Sequence, residues 1–264
     1  MKKTPKDFLT DLNGPMLDKV KINFTNTINF SQYPFSLNII KNLKDIKFLS
    51  NVTFFIGENG TGKSTVLEAI ADQADFGLEG GSKNIKFKTA TEEVYSGVQN
   101  LSQCFILSWR RKPVNGYFFR AESFFNVANY IDHIAIEGGG GEKAYVPYGG
   151  KSLHKQSHGE SFFSFFNNRL GNGGFFIFDE PEAALSPQRQ LSLLAIIHDQ
   201  CKRFNAQFII ATHSPILLAY PNSTIYSFDA NILKNIAYTD TTHYQITKSF
   251  LDDSDNYFRY LFQD

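Results

Sequence analysis

The chain has 264 residues, 26 Lys and Arg against 26 Asp and Glu, and two cysteines, Cys104 and Cys201, far apart and without metal-ligand spacing. Such a length suits one α/β domain over residues 1–264 with room for a sizeable core. The balanced charge removes any global electrostatic case for nucleic acid, and the cysteines imply neither a disulfide framework nor a zinc site, so a reducing, cytoplasmic setting is expected. The basic start MKKTPKDFLTDLNG lacks the apolar run of a secretory signal, and no window approaches the roughly 20 apolar residues of a spanning helix, so no membrane segment is expected.

Residues 1 to about 18 read as a polar tail or a short helix. Residues 19–56 alternate like several short strands, of which KVKINF, FSLNII and VTFFI are the clearest. VTFFI runs into GENGTGKST, Gly57–Thr65, which fits the phosphate-loop pattern GxxxxGK[ST]. Apolar Val66, Leu67, Ile70 and Ala74 then recur at helical spacing, which predicts a helix over 64–76 stopped by Gly77. Strand, glycine loop and helix in this order let backbone N–H groups wrap an anion at a helix N-terminus. The loop residues Gly57, Glu58, Asn59, Gly60, Thr61, Gly62 and Thr65 are expected around a nucleoside triphosphate, with Lys63 on the β and γ phosphates and Ser64 on Mg²⁺.

Further along, KNIKFKT is a candidate edge strand. LSQCFILSW and GYFFRAE read as two strands joined by the polar turn RRKPVN, and SFFNVANYIDHI as a helix. EGGGGEKAYVPYGGK, residues 137–151, is too glycine-rich for a regular element, and a mobile loop is predicted. The second half is plainly α/β: strand FFIF, a helix from Ser186 and Pro187, strand AQFIIAT, a turn at HSP, then strand TIYSF. The 27 phenylalanines are read chiefly as core.

Two further strand ends carry chemistry. In FFIFDEP an apolar run delivers Asp179 and Glu180 to the rim of a sheet, where Asp179 would join Ser64 on Mg²⁺ and Glu180 would act as general base on water. In ATHSP, His213 would sit beside the γ phosphate. A lone strand-end histidine is more often a packing or capping residue, but the two preceding elements favour function.

These three elements, in this order, resemble the ATP-binding cassette (ABC) superfamily of P-loop ATPases. QSHGE resembles the family signature LSGGQ: Ser157 and Gly159 match its Ser and second Gly, whereas Gln156, His158 and Glu160 stand for Leu, Gly and Gln. EAALSP resembles the D-loop, with Ser186 in place of the usual Asp. FFRAES stands where the Q-loop is expected, with Arg120 or Glu122 at the glutamine position, and an adenine-stacking aromatic is sought in Tyr33 or Phe35. The THSP switch and ILLAYPNSTIYSF resemble the RecF, SMC-like and OLD-type branch, close to a group of small bacterial predicted AAA-family ATPases.

The resemblance implies an α/β P-loop fold with a central mostly parallel sheet flanked by helices. An antiparallel β portion is expected over 19–56, an excursion over 95–156 with a small helical part, signature to switch over 157–229, and an extension over 230–264. It also implies ATP and Mg²⁺ as cofactors and an ATP-dependent head-to-tail homodimer in which Ser157, Gly159 and Glu160 reach the partner's γ phosphate. DNA, or a separately encoded nuclease or toxin, is the expected partner; a transporter energy subunit is the alternative. WRRK, Trp109–Lys112, is weighed as a phosphate contact against a plain solvated turn.

Overall fold

The computed structural model describes residues 14–25, 28–78, 80–81, 92–155, 158–170 and 173–262. KNIKFKT and residues 1–13 lie outside the described residues. The first half runs β1 Leu17–Ile22, α1 Asn38–Lys41, β2 Ile46–Lys47, β3 Val52–Ile56, α2 Lys63–Gln73, α3 Glu92–Ser102, β4 Phe105–Trp109, β5 Gly116–Arg120 and α4 Phe124–Ile136. After a 3₁₀ segment, Gly141–Tyr148, come α5 His158–Arg169, β6 Phe175–Asp179, α6 Pro187–Phe204, β7 Gln207–Ala211, α7 Pro215–Leu218, β8 Thr224–Ser227, β9 Lys234–Asn235, α8 Thr242–Asp252 and α9 Ser254–Leu261. Among these helices none is long and apolar enough to cross a membrane.

Two sheets form. A three-stranded antiparallel sheet has the order β2-β1-β4, and a six-stranded one has the order β5-β6-β7-β3-β8-β9, parallel except for β9. Every residue of β3, β6 and β7 is buried, as expected of strands covered on both faces. Successive side chains alternate between two cores. Phe55, Ile177 and Ile209 join α2 and the antiparallel sheet, while Phe54, Ile56, Phe176, Phe178, Phe208 and Ile210 join α4, α5 and α6. Phe119 carries the second core, with ring centroids of Phe162, Phe165, Phe166 and Phe178 at 5.2, 5.4, 4.9 and 5.9 Å.

The predicted strands and helices of the second half are found, and the structure corrects two expectations elsewhere. FSLNII is not a strand: α1 occupies Asn38–Lys41, with Lys41 N–H bonded to Leu37 O at 3.1 Å. Its neighbours Ile39 and Ile40 are both buried, one against the phosphate loop, so tertiary packing overrides β propensity here. Residues 137–151 hold a regular 3₁₀ turn where none was predicted, because their aromatic residues anchor them. Tyr148 is buried and stacks on Phe165 at 6.2 Å, and its carbonyl accepts the Ser164 hydroxyl at 3.1 Å. The two strands expected on either side of RRKPVN are found as β4 and β5, and they lie in different sheets, β4 paired with β1 and β5 with β6.

Helix α3 was not predicted, its apolar spacing being interrupted by Gly97. That glycine is a close-approach site, since a Cβ there would lie 3.2 Å from Tyr33 O.

Candidate functional site

The fully buried β3 ends where the phosphate loop begins. Gly57, Gly60 and Gly62 adopt φ of 144°, 80° and 99°. Gly62 is the residue on which α2 starts, and a Cβ there would sit 2.9 Å from Ile39 Cγ2, so the turn requires glycine for both conformation and space. The loop is braced from β8's far end: Asp229 Oδ1 accepts the Glu58 N–H at 2.8 Å. Thr61 donates to Glu58 O at 2.8 Å. Lys63 is buried, and its Nζ donates to the carbonyls of Gly57 at 2.5 Å and Glu58 at 3.0 Å. Burial lowers its pKa from the ordinary lysine value, opposed by the nearby Glu180 and Asp179 carboxylates.

Parallel register aligns the carboxyl ends of four strands. Arg120 pairs with Asp179, Asp179 with Ala211, and Phe55 with Ala211. This end of an open α/β sheet is where ligands generally bind. The Ser64 hydroxyl donates to Asp179 Oδ1 at 3.0 Å, bringing together the two oxygen donors expected to hold Mg²⁺. Burial raises the Asp179 pKa, with the Arg120 guanidinium the largest opposing influence.

Arg120 is the better placed of the two Q-loop candidates. It reaches Glu68 at 2.5 Å, Glu122 at 3.3 Å and Asp179 at 3.6 Å, whereas Glu122 is a largely exposed side chain. Glu68 was missed in sequence because a glutamate in a helix ordinarily faces water. Burial pushes its carboxyl up to about 7, against the opposing influence of Arg120.

Glu180 has φ 51°, a left-handed turn that departs from the strand direction immediately after Asp179, while its N–H still bonds Ala211 O at 3.0 Å. Its carboxylate lies 3.7 Å from His213 Nε2. The His213 backbone N–H donates to Glu182 Oε1 at 2.6 Å, and its Nδ1 meets His243 Nε2 at 3.1 Å. Glu182 and His243 were not anticipated: the former opens EAALSP, where attention falls on Ser186, and nothing adjacent in sequence marks the latter. Beyond His213, Ser214 caps α7 by accepting from Ile216 and Leu217 N–H, both at 3.2 Å.

A cleft of about 770 Å³ opens over the phosphate loop and the ends of β5 and β6, and His213, Glu182 and His243 stand behind its wall at Glu180. Its walls include Asn59, Gly60, Lys63, Ser64, Arg120, Asp179 and Glu180. Tyr33 lines it too, with its hydroxyl 3.0 Å from Thr65 Oγ1, whereas Phe35 is buried against Phe24 and Phe30. Of the two aromatic candidates, Phe35 therefore belongs to the core. Gln156 and Ser157 lie outside the described residues. Helix α5 begins at His158, so Gly159 and Glu160 fall in its first turn, and Phe162 one turn on forms part of the cleft wall. Of WRRK, Trp109 ends β4 and packs edge-on against Phe175 at 5.0 Å, and Arg110 beyond it is paired with Asp18.

An oxygen-donor pair beside a left-handed glycine loop fits a hard divalent cation and a polyphosphate. Residues 27–142 match a family model described as "AAA domain", and residues 164–219 one described as "AAA domain, putative AbiEii toxin, Type IV TA system". No curated protein matches the chain.

Similar solved structures include MJ1267, an ATP-binding cassette of an ABC transporter in its ADP conformation. It is 13% identical over 90% or more of both chains, covering 94% of this one and 99% of its own, with TM-score 0.48. Another is cbiO1 from Clostridium perfringens, part of the ABC transporter complex cbiONQ (16% identity, 90% and 95% covered, TM-score 0.47). A third is the SMC head domain from Thermotoga maritima (15%, 83% and 98%, TM-score 0.40). The phosphate loop lies in the first AAA-domain match and Asp179, Glu180 and His213 lie in the second, so both matched stretches meet at this site.

Proposed function

We propose that the chain binds and hydrolyses Mg-ATP as an ABC-type ATPase of the RecF/SMC/OLD-like branch. ATP closes two copies head to tail, making the chain a nucleotide-driven dimerisation switch in DNA-related or defence processes. The observation that carries this reading is the convergence of Ser64 on Asp179 at 3.0 Å with Glu180 and His213 3.7 Å apart at the same strand ends. The amides of Gly57–Thr65 cradle the phosphates, and Lys63 exchanges its two carbonyl acceptors for β and γ phosphate oxygens. Ser64 and Asp179 hold Mg²⁺, which when bound neutralises phosphate charge. Glu180 orients water, His213 donates to the γ phosphate, and Tyr33 stacks on the adenine. Ser157, Gly159 and Glu160 act on the partner's nucleotide. We read residues 1–264 as one ATPase domain.

Affinity for labelled ATP in wild type and Lys63→Ala tests the site: near-complete loss is expected, and unchanged affinity removes the assignment. Light scattering tests the switch. Glu180→Gln should accumulate an ATP-bound dimer, and adding Ser157→Arg should return it to monomer. A Glu180→Gln variant that stays monomeric in saturating Mg-ATP would leave an ATPase without the sandwich. A second reading, control of a separately encoded toxin or nuclease, is favoured by the toxin-system description of the model that matches residues 164–219. Stimulation of hydrolysis by duplex DNA would favour the DNA reading over it.

A further inference from the structure

His243 belongs to the C-terminal extension, yet its Nε2 lies 3.1 Å from Nδ1 of His213. The remaining ring nitrogens, His213 Nε2 and His243 Nδ1, are buried and have no hydrogen-bond partner among the described residues. A neutral imidazole has one N–H and one lone pair, so one proton is shared between the rings and only two arrangements exist.

If His213 donates, its Nε2 lone pair faces the Glu180 carboxylate 3.7 Å away. Nδ1 of His243 then carries a buried N–H with no acceptor, the costlier kind of orphan. If His243 donates, His213 carries its proton on Nε2, where it meets the Glu180 carboxylate attractively. The only group left over is then a buried lone pair on His243.

We propose that His243 is a positioning residue: it donates from Nε2 to His213 Nδ1 and so holds the His213 ring with its Nε2–H aimed at Glu180, which lines the cleft. This rests on the role given to His213 above, since only the Nε2–H form can donate to a phosphate oxygen there. Both rings are held below the ordinary histidine pKa. Burial is the main cause in each, with Lys63 next for His213 and His213 itself next for His243. His243 also sits in the first turn of α8, whose positive end disfavours an imidazolium.

The extension is anchored for this task. The Thr241 hydroxyl caps α8 by accepting from Tyr244 N–H at 3.2 Å and donates to Tyr238 O at 2.8 Å, and Thr241 is fully buried. The Tyr238 hydroxyl donates to Pro215 O at 2.9 Å, two residues past His213. The two histidines are therefore held from both sides of their shared bond.

Long-range ¹⁵N–¹H correlation on nucleotide-free protein with ¹⁵N-labelled histidine reads the tautomer directly. His213 is expected with a protonated Nε2 and a bare Nδ1, and a proton on Nδ1 would overturn the proposal. His243→Phe keeps a ring but removes the donor, and His243→Gln can restore an N–H near the Nε2 position. His243→Phe should lower kcat for ATP about tenfold or more with KM within about twofold, and should leave His213 as a mixture of tautomers. His243→Gln should recover most of the loss. Equal losses in both variants with an unchanged His213 tautomer would reduce His243 to a packing residue. Should the Phe variant fail to fold, the wild-type spectrum and the Gln variant still decide. Because the tautomer is read without nucleotide, its failure is separable from that of the ATPase reading, which Lys63→Ala tests.

Discussion

The rim made by the ends of β3, β6 and β7 and the extension made by α8 and α9 meet at the His213–His243 contact, but they are built on opposite rules. On the rim, every strand residue is buried and the register fixes each functional group by backbone hydrogen bonds. In the extension no residue of either helix is buried, and Ile246, Leu251, Tyr260, Leu261 and Phe262 are exposed. The rim is positioned by the core, and the extension by polar tethers at Thr241 and Tyr238 together with the Tyr238 ring, which packs on the second core and against Tyr244. A group can thus reach a site with little apolar burial behind it, provided its helix is capped and tied at the contact.

The largest effect that would sharpen this contrast is on stability. Phe178 sits in β6 with no exposure and packs against the rings of Phe119, Phe166 and Phe208. Phe178→Ala should cost about 3–5 kcal/mol in urea unfolding, by lost transfer energy and a cavity among the rings of the second core. A cost below about 1 kcal/mol would mean that the rim is not held by this core.

Next in size is chemistry. Glu180→Gln should reduce phosphate release at least about 100-fold with ATP still bound, more than the loss expected at His243, because in the proposed mechanism one group touches the attacking water and the other acts through a neighbour. Equal losses at the two positions would erase the distinction between rim and extension.

A pH-dependent effect comes from Glu68, which lies under the rim. Its folded carboxyl is raised to about 7, so between the ordinary glutamate value and that point the native state holds a proton that the unfolded chain has released. Stability should be highest on the acidic side of this window and fall by about 3 kcal/mol as pH rises through it, then level off. Glu68→Gln should flatten this segment of the stability–pH curve. A wild-type curve that rises over the same window would mean that Arg120 outweighs burial.

What could be read from sequence follows the same division. Gly57–Ser64, Asp179, Glu180 and His213 were legible because each sits at the end of a short apolar run, and a buried parallel strand has only one place to put the polar residue that follows it. FSLNII was misread because four apolar residues in six fit either period, and packing beneath Gly62 decided between them. The glycines of 137–151 hid a turn anchored by Tyr148, whose partner Phe165 is remote in sequence. Glu68, Glu182 and His243 become functional candidates only through residues brought to them by the fold. No local pattern marks them.

The smallest expected effect tests the extension's own rule. Leu251 is 75% exposed near the end of α8, and the contacts joining α8 to α9 run through Phe250, which meets the rings of Tyr257 and Phe258 at 5.5 and 5.8 Å. Removing the Leu251 side chain takes little surface out of a packed environment, so Leu251→Ala should change the unfolding free energy by no more than about 0.5 kcal/mol. Hydrolysis should be unchanged as well, because His243 is held at the other end of α8 by the Thr241 cap and by Tyr238. A destabilisation above about 2 kcal/mol would require Leu251 to be buried in solution, against a partner surface or a second copy. The extension would then be held by apolar packing after all, and its difference from the rim would be one of partner and not of principle.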